Sequence, residues 1–244
     1  MIEPTSTVSE PTEAFPYTPP TDEIKAKYAH IFALNEALPP RFSKTMFDKL
    51  VASVLLSFSL PILLLLKIAY VIEGILISEN KGPMFFYYWG VSGGKKMKKW
   101  KLRLIKTKYI DPEGSARHDW IAFSGEWAPD SRTIVGAFAK KWYLDELPQF
   151  WSVLIGDMSI VGPRPLSVIH YERDIQQGNV TRKLLKGGLL GLGHINKGTP
   201  EMGNPIYEYK YVEEYLQRSS FKLLMLDLKI IWRGAIVIFK GGGH

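Results

Sequence analysis

The residues best placed to do chemistry lie between Asp145 and Pro165, in the run DELPQFWSVLIGDMSIVGPRP. It opens on two adjacent carboxylates, Asp145 and Glu146, and closes on Arg164 between two prolines. Apolar residues at Leu147, Phe150, Trp151 and Leu154 follow the i, i+3, i+4, i+7 rhythm of a buried helix face. Asp145 takes the N-cap position, Pro148 falls in the first turn, and Gly156 is placed to stop the helix. A carboxylate pair at a helix start stands in a positive local field that favours anions and helps hold phosphate. Most such pairs are simple caps, so the pair alone argues weakly for catalysis.

The elements around this run must position it. Trp100, Leu102 and Leu104 alternate with Lys101 and Arg103, which predicts a half-buried strand with a basic outer face. Gly90, Gly93 and Gly94 mark a turn before it, and their spacing is not that of a dinucleotide-binding loop. Residues 111–130 carry no firm pattern and read as a loop. His118 and Asp119 within it read as a surface pair in preference to metal ligands.

Composition narrows the class. The chain has 244 residues, 46% hydrophobic and 23% charged, enough to bury a full core. It has no cysteine, which excludes disulfides, thiolate nucleophiles and Cys-ligated zinc. The net charge of +7 calls for an anionic partner. That charge tracks apolar segments instead of a recognition helix, so lipid or phosphorylated substrate is expected and nucleic acid is not.

Residues 1–22 are rich in Pro, Thr, Ser and Glu, and they read as a disordered tail without the basic start of a signal peptide. Residues 23–40 read as an amphipathic helix ending at Pro39-Pro40. Within 41–79, Val51 to Leu66 is almost wholly apolar, whereas a spanning helix needs about 20 such residues. Extension to that length would draw Lys67 and Glu73 toward hydrocarbon, and both flanks are basic. The simplest reconciliation is a re-entrant helix that breaks near Pro61. A single-pass anchor and a buried core helix are the alternatives. A domain at 80–218 follows, and 219–244 reads as an interfacial helix with a short tail. In it, Lys222, Lys229, Arg233 and Lys240 share an arc of roughly 40°, although a core helix with snorkelling lysines fits the same spacing.

Together these residues resemble the bacterial sugar transferases, the monotopic polyprenyl-phosphate phosphoglycosyl transferases. Asp145 to Pro165 carries the likeness almost residue for residue. It extends through Ser59 and Pro61, Gly82-Pro83-Met84-Phe85-Phe86, Lys101-Leu102-Arg103, Gly136, Arg182, Gly188 to Leu192, Ile195-Asn196, and Asp227 to Ile230. The resemblance implies an α+β, mainly helical monotopic membrane enzyme. Its small catalytic domain would carry short strands between a re-entrant helix and a C-terminal interfacial helix.

The reaction it implies moves a sugar 1-phosphate from a UDP-sugar to polyprenyl phosphate, releasing UMP, at the cytoplasmic face of the bacterial inner membrane. Asp145 would be the covalent nucleophile, and Glu146 would assist with Mg2+ or protons, so both are candidate metal ligands. Arg103, Lys140 and Arg164 would contact phosphate, while His194, Asn196 and Lys197 are candidates for donor binding. Membrane lipids are expected partners, and a homodimer is an open arrangement. Several positions depart from the family pattern. Lys140 replaces an arginine, Tyr143 replaces a small hydroxyl residue, and Gly187 to Gly191 lacks the usual Pro and Thr. His194 and Lys197-Gly198 also differ. An inactive scaffold for other glycan enzymes is the alternative these changes suggest.

Overall fold

The structure, a computed structural model, describes residues 14–196 and 199–239. Two short helices come first, α1 (Asp22–Lys27) and α2 (Ala29–Phe32). Thr21 caps α1 by accepting from the Ile24 amide at 3.3 Å. Ile24, Tyr28 and Ile31 are buried, and the rings of Tyr28 and Phe32 stack on Tyr209. The expected 23–40 helix is therefore two short pieces whose apolar side packs on the domain. Residues 14–20 also lie against the domain, with Thr18 N donating to the Gly203 carbonyl at 3.2 Å. The described part of the segment expected to be disordered is thus docked, and residues 1–13 lie outside the described residues.

Helix α3 (Phe42–Leu76) runs unbroken through Pro61, so the expected break there is not seen. Ser53, Ser57 and Ser59 each donate to the carbonyl four residues earlier, which satisfies their hydroxyls without water. Asp48, Ala52, Ser59, Leu66, Tyr70 and Glu73 form one buried stripe, while Phe58, Leu65 and Ile75 are exposed on other faces. Both ends of the helix are tied to the same domain. Near its start, Asp48 accepts from Ser159 Oγ at 2.7 Å and Ile160 N at 3.2 Å, and Lys44 pairs with Asp227 at 2.8 Å. Near its end, the Tyr70 hydroxyl donates to the Arg103 carbonyl. Glu73, read from sequence as a charge drawn toward hydrocarbon, is buried in protein instead. It accepts from Ile134 N at 2.6 Å, Val135 N at 3.0 Å and Asn80 Nδ2 at 2.6 Å.

Gly93 and Gly94, with φ of 56° and 71°, form the two-residue loop joining β1 (Phe85–Ser92) to β2 (Lys95–Leu102). The strands pair antiparallel, from Phe85 opposite Leu102 to Ser92 opposite Lys95. The region read as a loop is largely helical, with α4 (Pro112–Arg117) and a 3₁₀ helix over Trp120–Trp127. His118 stacks on Tyr87 and Asp119 pairs with Arg117, consistent with a structural pair. Helix α5 (Ile134–Lys141) is capped by Thr133 and by Glu73. Gly136 lies so close to β2's continuation that a Cβ would stand 2.1 Å from the Leu104 carbonyl oxygen.

Helix α6 (Gln149–Ile155) ends at Gly156 as the spacing predicts. Its buried side is Gln149, Ser152 and Val153, however, while Trp151 is exposed, so the expected buried face is rotated. Next come β3 (Ser159–Val161), β4 (Leu166–Ser167), α7 (Val168–Gln176), α8 (Thr181–Leu184) and β5 (Gly188–Leu190). The sheets are β2-β1-β4, antiparallel, and the parallel pair β3-β5. Helix α9 (Ile206–Gln217) precedes α10 (Ser220–Phe239). On α10, Leu223, Asp227 and Ile230 face inward, Lys222, Lys229 and Arg233 are exposed, and Phe221, Met225, Leu228 and Trp232 form an exposed apolar row. Lys240 lies outside the described residues.

Candidate active site

The dyad occupies a 3₁₀ turn, Leu144–Glu146, just before α6. Neither carboxylate is an N-cap, because Pro148 holds that position without a side-chain bond. Tyr143 enters the turn at φ 55°, a left-handed conformation unusual for an aromatic residue. It reverses the chain between α5 and the dyad.

Strand β2 supplies the opposite wall. Its basic face, expected to face outward, is the buried one: Lys99, Lys101 and Arg103 are all under 6% exposed. Lys101 Nζ stands 3.1 Å from Glu126 Oε2 and 3.2 Å from Asp145 Oδ2. Asp145 is only 1% exposed. Its Oδ2 touches Lys101 but receives no directed hydrogen bond, and Gln149 Nε2, also buried, has none among the described residues. Glu146 and Arg164 form the half-exposed rim, with Nη2 3.0 Å from Oε1. Lys140 lies 5.1 Å from the Trp127 ring centroid and acts electrostatically on Asp145, Glu146 and Glu126.

The charges are strongly biased by this enclosure. Burial pushes the Asp145 carboxyl up, with Lys101 and then Lys140 opposing. Burial also acts to raise Glu146, but Arg164 and then Lys101 overcome it and hold this carboxyl well below the usual range. Burial acts to lower Lys101, and Glu126 and Asp145 more than reverse it. Burial and then the Arg164 charge bring Lys99 down to about 7; its ammonium donates to the Pro165 carbonyl at 2.9 Å. Four basic side chains thus surround three carboxylates, a setting suited to a polyanion such as a diphosphate.

The expected residues divide clearly. Asp145, Glu146, Lys140 and Arg164 come together. Arg103 is held away from the dyad, its guanidinium donating to the carbonyls of Pro83 at 2.9 Å, Ile105 at 2.7 Å and Asn80 at 2.8 Å. Lys101, two residues earlier on the same face, is the cation that meets Asp145. Asn196 sits in a 3₁₀ turn with its amide 3.5 Å from the Leu192 carbonyl, and no described contact joins it to the dyad. His194 belongs to that turn by its backbone; its side chain and all of Lys197 lie outside the described residues.

Sequence reasoning missed Lys101, Glu126 and Lys99. A lone acid inside the aromatic run Trp120–Trp127 was the available signal for Glu126. No group of three or more acidic or histidine side chains is arranged to hold a metal among the described residues. The adjacent carboxylates Asp145 and Glu146 match the donors Mg2+ takes in its common mode, one or two carboxylates plus substrate phosphates, and here they are paired with Lys101 and Arg164.

Comparison with known proteins bears on the same region. The family model described as bacterial sugar transferase matches residues 39–241. The chain is 34% identical over 204 residues to a UDP-glucose:undecaprenyl-phosphate glucose-1-phosphate transferase of Klebsiella pneumoniae, covering 81% of this chain and 40% of that protein. It is 33% identical over 156 residues to a putative undecaprenyl-phosphate N-acetylgalactosaminyl 1-phosphate transferase of Bacillus subtilis, covering 62% and 78%. An Aeromonas hydrophila UDP-N-acetylgalactosamine-undecaprenyl-phosphate N-acetylgalactosaminephosphotransferase matches at 26% over 229 residues, 91% of this chain and 50% of its own length. The chain thus spans 40% of the length of the Klebsiella relative.

Proposed function

The chain belongs to the bacterial sugar transferase family, and from that premise we propose that it transfers a sugar 1-phosphate from a UDP-sugar to polyprenyl phosphate, starting assembly of a lipid-linked glycan. The observation that carries this reading is Asp145, a buried carboxylate ion-paired to Lys101 through Oδ2 and set beside Lys140 and the Glu146–Arg164 pair.

At 1% exposure Asp145 is closed to solvent, so donor entry must first open the rim. The donor diphosphate competes with Glu146 for the Arg164 guanidinium, whose fork matches phosphate oxygens. Asp145 then attacks the sugar-linked phosphorus, the bond to the UMP oxygen breaks, and a phosphosugar-aspartyl enzyme forms. Lys101 and Lys140 offset charge developing on the phosphoryl oxygens. Polyprenyl phosphate resolves the intermediate, and Asp145 returns as carboxylate. Asp145 and Glu146 would be the residues to hold Mg2+, which would supply further charge neutralisation at the diphosphate.

Attachment to the membrane is proposed to be monotopic, with α3's exposed apolar faces and the apolar row of α10 in one leaflet. The domain is proposed to lie on the cytoplasmic side of the inner membrane because UDP-sugars are available there. The rows suit this reading because both ends of α3 bond to one domain. Assay of UMP release over a panel of UDP-sugars with polyprenyl phosphate and Mg2+ tests the reaction. Asp145→Asn is expected to abolish release, and full release by that variant would exclude Asp145 as nucleophile. The closed state of Asp145 also fits an inactive scaffold, for which the wild-type chain would release no UMP with any donor.

A further inference from the structure

Residues Phe15 to Thr18 precede the family-matched region, which begins at residue 39, yet they reach its active site. The Tyr17 ring centroid lies 3.9 Å from Cζ of Arg182. Arg182 is a fully buried cation each of whose three nitrogens donates: Nη1 to Asp174 at 2.7 Å, Nη2 to Glu208, and Nε to the backbone carbonyl of Arg164 at 3.0 Å. Arg164 in turn pairs with Glu146. The segment is held on both sides of Tyr17. Phe15 stacks on His170 with centroids 5.5 Å apart, and the Thr18 carbonyl accepts from Asn179 Nδ2 at 3.2 Å. Gly203, at φ 83°, lies against Pro16; a Cβ there would stand 1.9 Å from the Pro16 carbonyl oxygen.

We infer that this N-terminal segment is a built-in part of the active site, with Tyr17 acting as a positioning residue that seats Arg164 for the donor through Arg182. An aromatic face on a desolvated guanidinium attracts it strongly enough to favour one arrangement of Arg182. The Arg182 Nε–H then sets the height of the Arg164 backbone at the rim. Burial also pushes the Tyr17 hydroxyl up, in keeping with a neutral ring that serves by stacking.

The inference rests on the proposed transfer reaction, and a double-mutant cycle in the full chain in lipid nanodiscs tests it. Tyr17→Ala is expected to lower kcat/KM for the UDP-sugar about tenfold, and Tyr17→Phe to stay within about twofold. In an Arg164→Ala background, Tyr17→Ala is expected to add no further loss. Equal losses in both backgrounds, or no loss on Tyr17→Ala alone, would overturn the proposal. If Tyr17→Ala fails to fold, Tyr17→Leu, which keeps apolar bulk and removes the aromatic face over Arg182, gives the same comparison. Hydrogen exchange at residues 164–167 needs no turnover. Quickening by about tenfold in Tyr17→Ala but not in Tyr17→Phe supports the seating role even if no donor reacts, and unchanged exchange refutes it.

Discussion

Lys99 shows how strongly enclosure governs single side chains at this site. Its ammonium is brought down to about 7, against an ordinary value of 10.5, first by burial and then by Arg164. Between those two values the unfolded chain holds more protons at this position than the folded one, so its contribution makes stability rise with pH. Lys99→Met is expected to flatten that rise, as urea melts at pH 7.5 and 9.5 would report. Lys101 is the opposite case, a cation kept charged between two buried carboxylates. Lys101→Met strands Glu126 and Asp145 and is expected to cost about 3–5 kcal/mol, measurable by the same melts. Asp145, Glu146 and Arg164 were legible in the sequence because one short run holds all three. Glu126 was not, since it comes from a stretch with no period and meets Asp145 only after folding.

The elements behind the dyad act by close approach and capping. Gly136 lets α5 rest on the Leu104 carbonyl, and the same helix leads through Tyr143 into the dyad. Gly136→Ala must push helix from strand, and a loss of about 1–3 kcal/mol with a larger fall in UMP release is the expected outcome. Glu73→Ala leaves the Ile134 and Val135 amides and the Asn80 side chain without their acceptor. About 1–3 kcal/mol of stability is expected to go in a chemical denaturation series. Alternation in β2 was readable, but alternation does not say which face is buried. The basic face went inward because partners wait there, Glu126 and Asp145 for Lys101 and backbone carbonyls for Lys99 and Arg103. Helix α6 misled for a related reason: Gln149 and Ser152 are polar, yet they are among its buried residues.

On the scale of the molecule, α3 and α10 place long exposed apolar rows beside exposed lysines and arginine, so membrane association was foreseeable from composition and flanking charge. The form of α3 was not, because nothing local announces that Asp48 and Glu73, 25 positions apart, bond to the same domain. That double tie has a consequence for the surrounding lipid. A helix that crosses a bilayer is subject to hydrophobic mismatch and must tilt or distort when the hydrocarbon thickens. A helix fastened at both ends to one domain is exempt, because its depth is referred to one surface only. Reconstitution in lipids of increasing acyl length is therefore expected to leave UMP release constant within about twofold. On the proposed monotopic attachment, the dyad would ride at a set height above the headgroups, whatever the distance to the opposite leaflet.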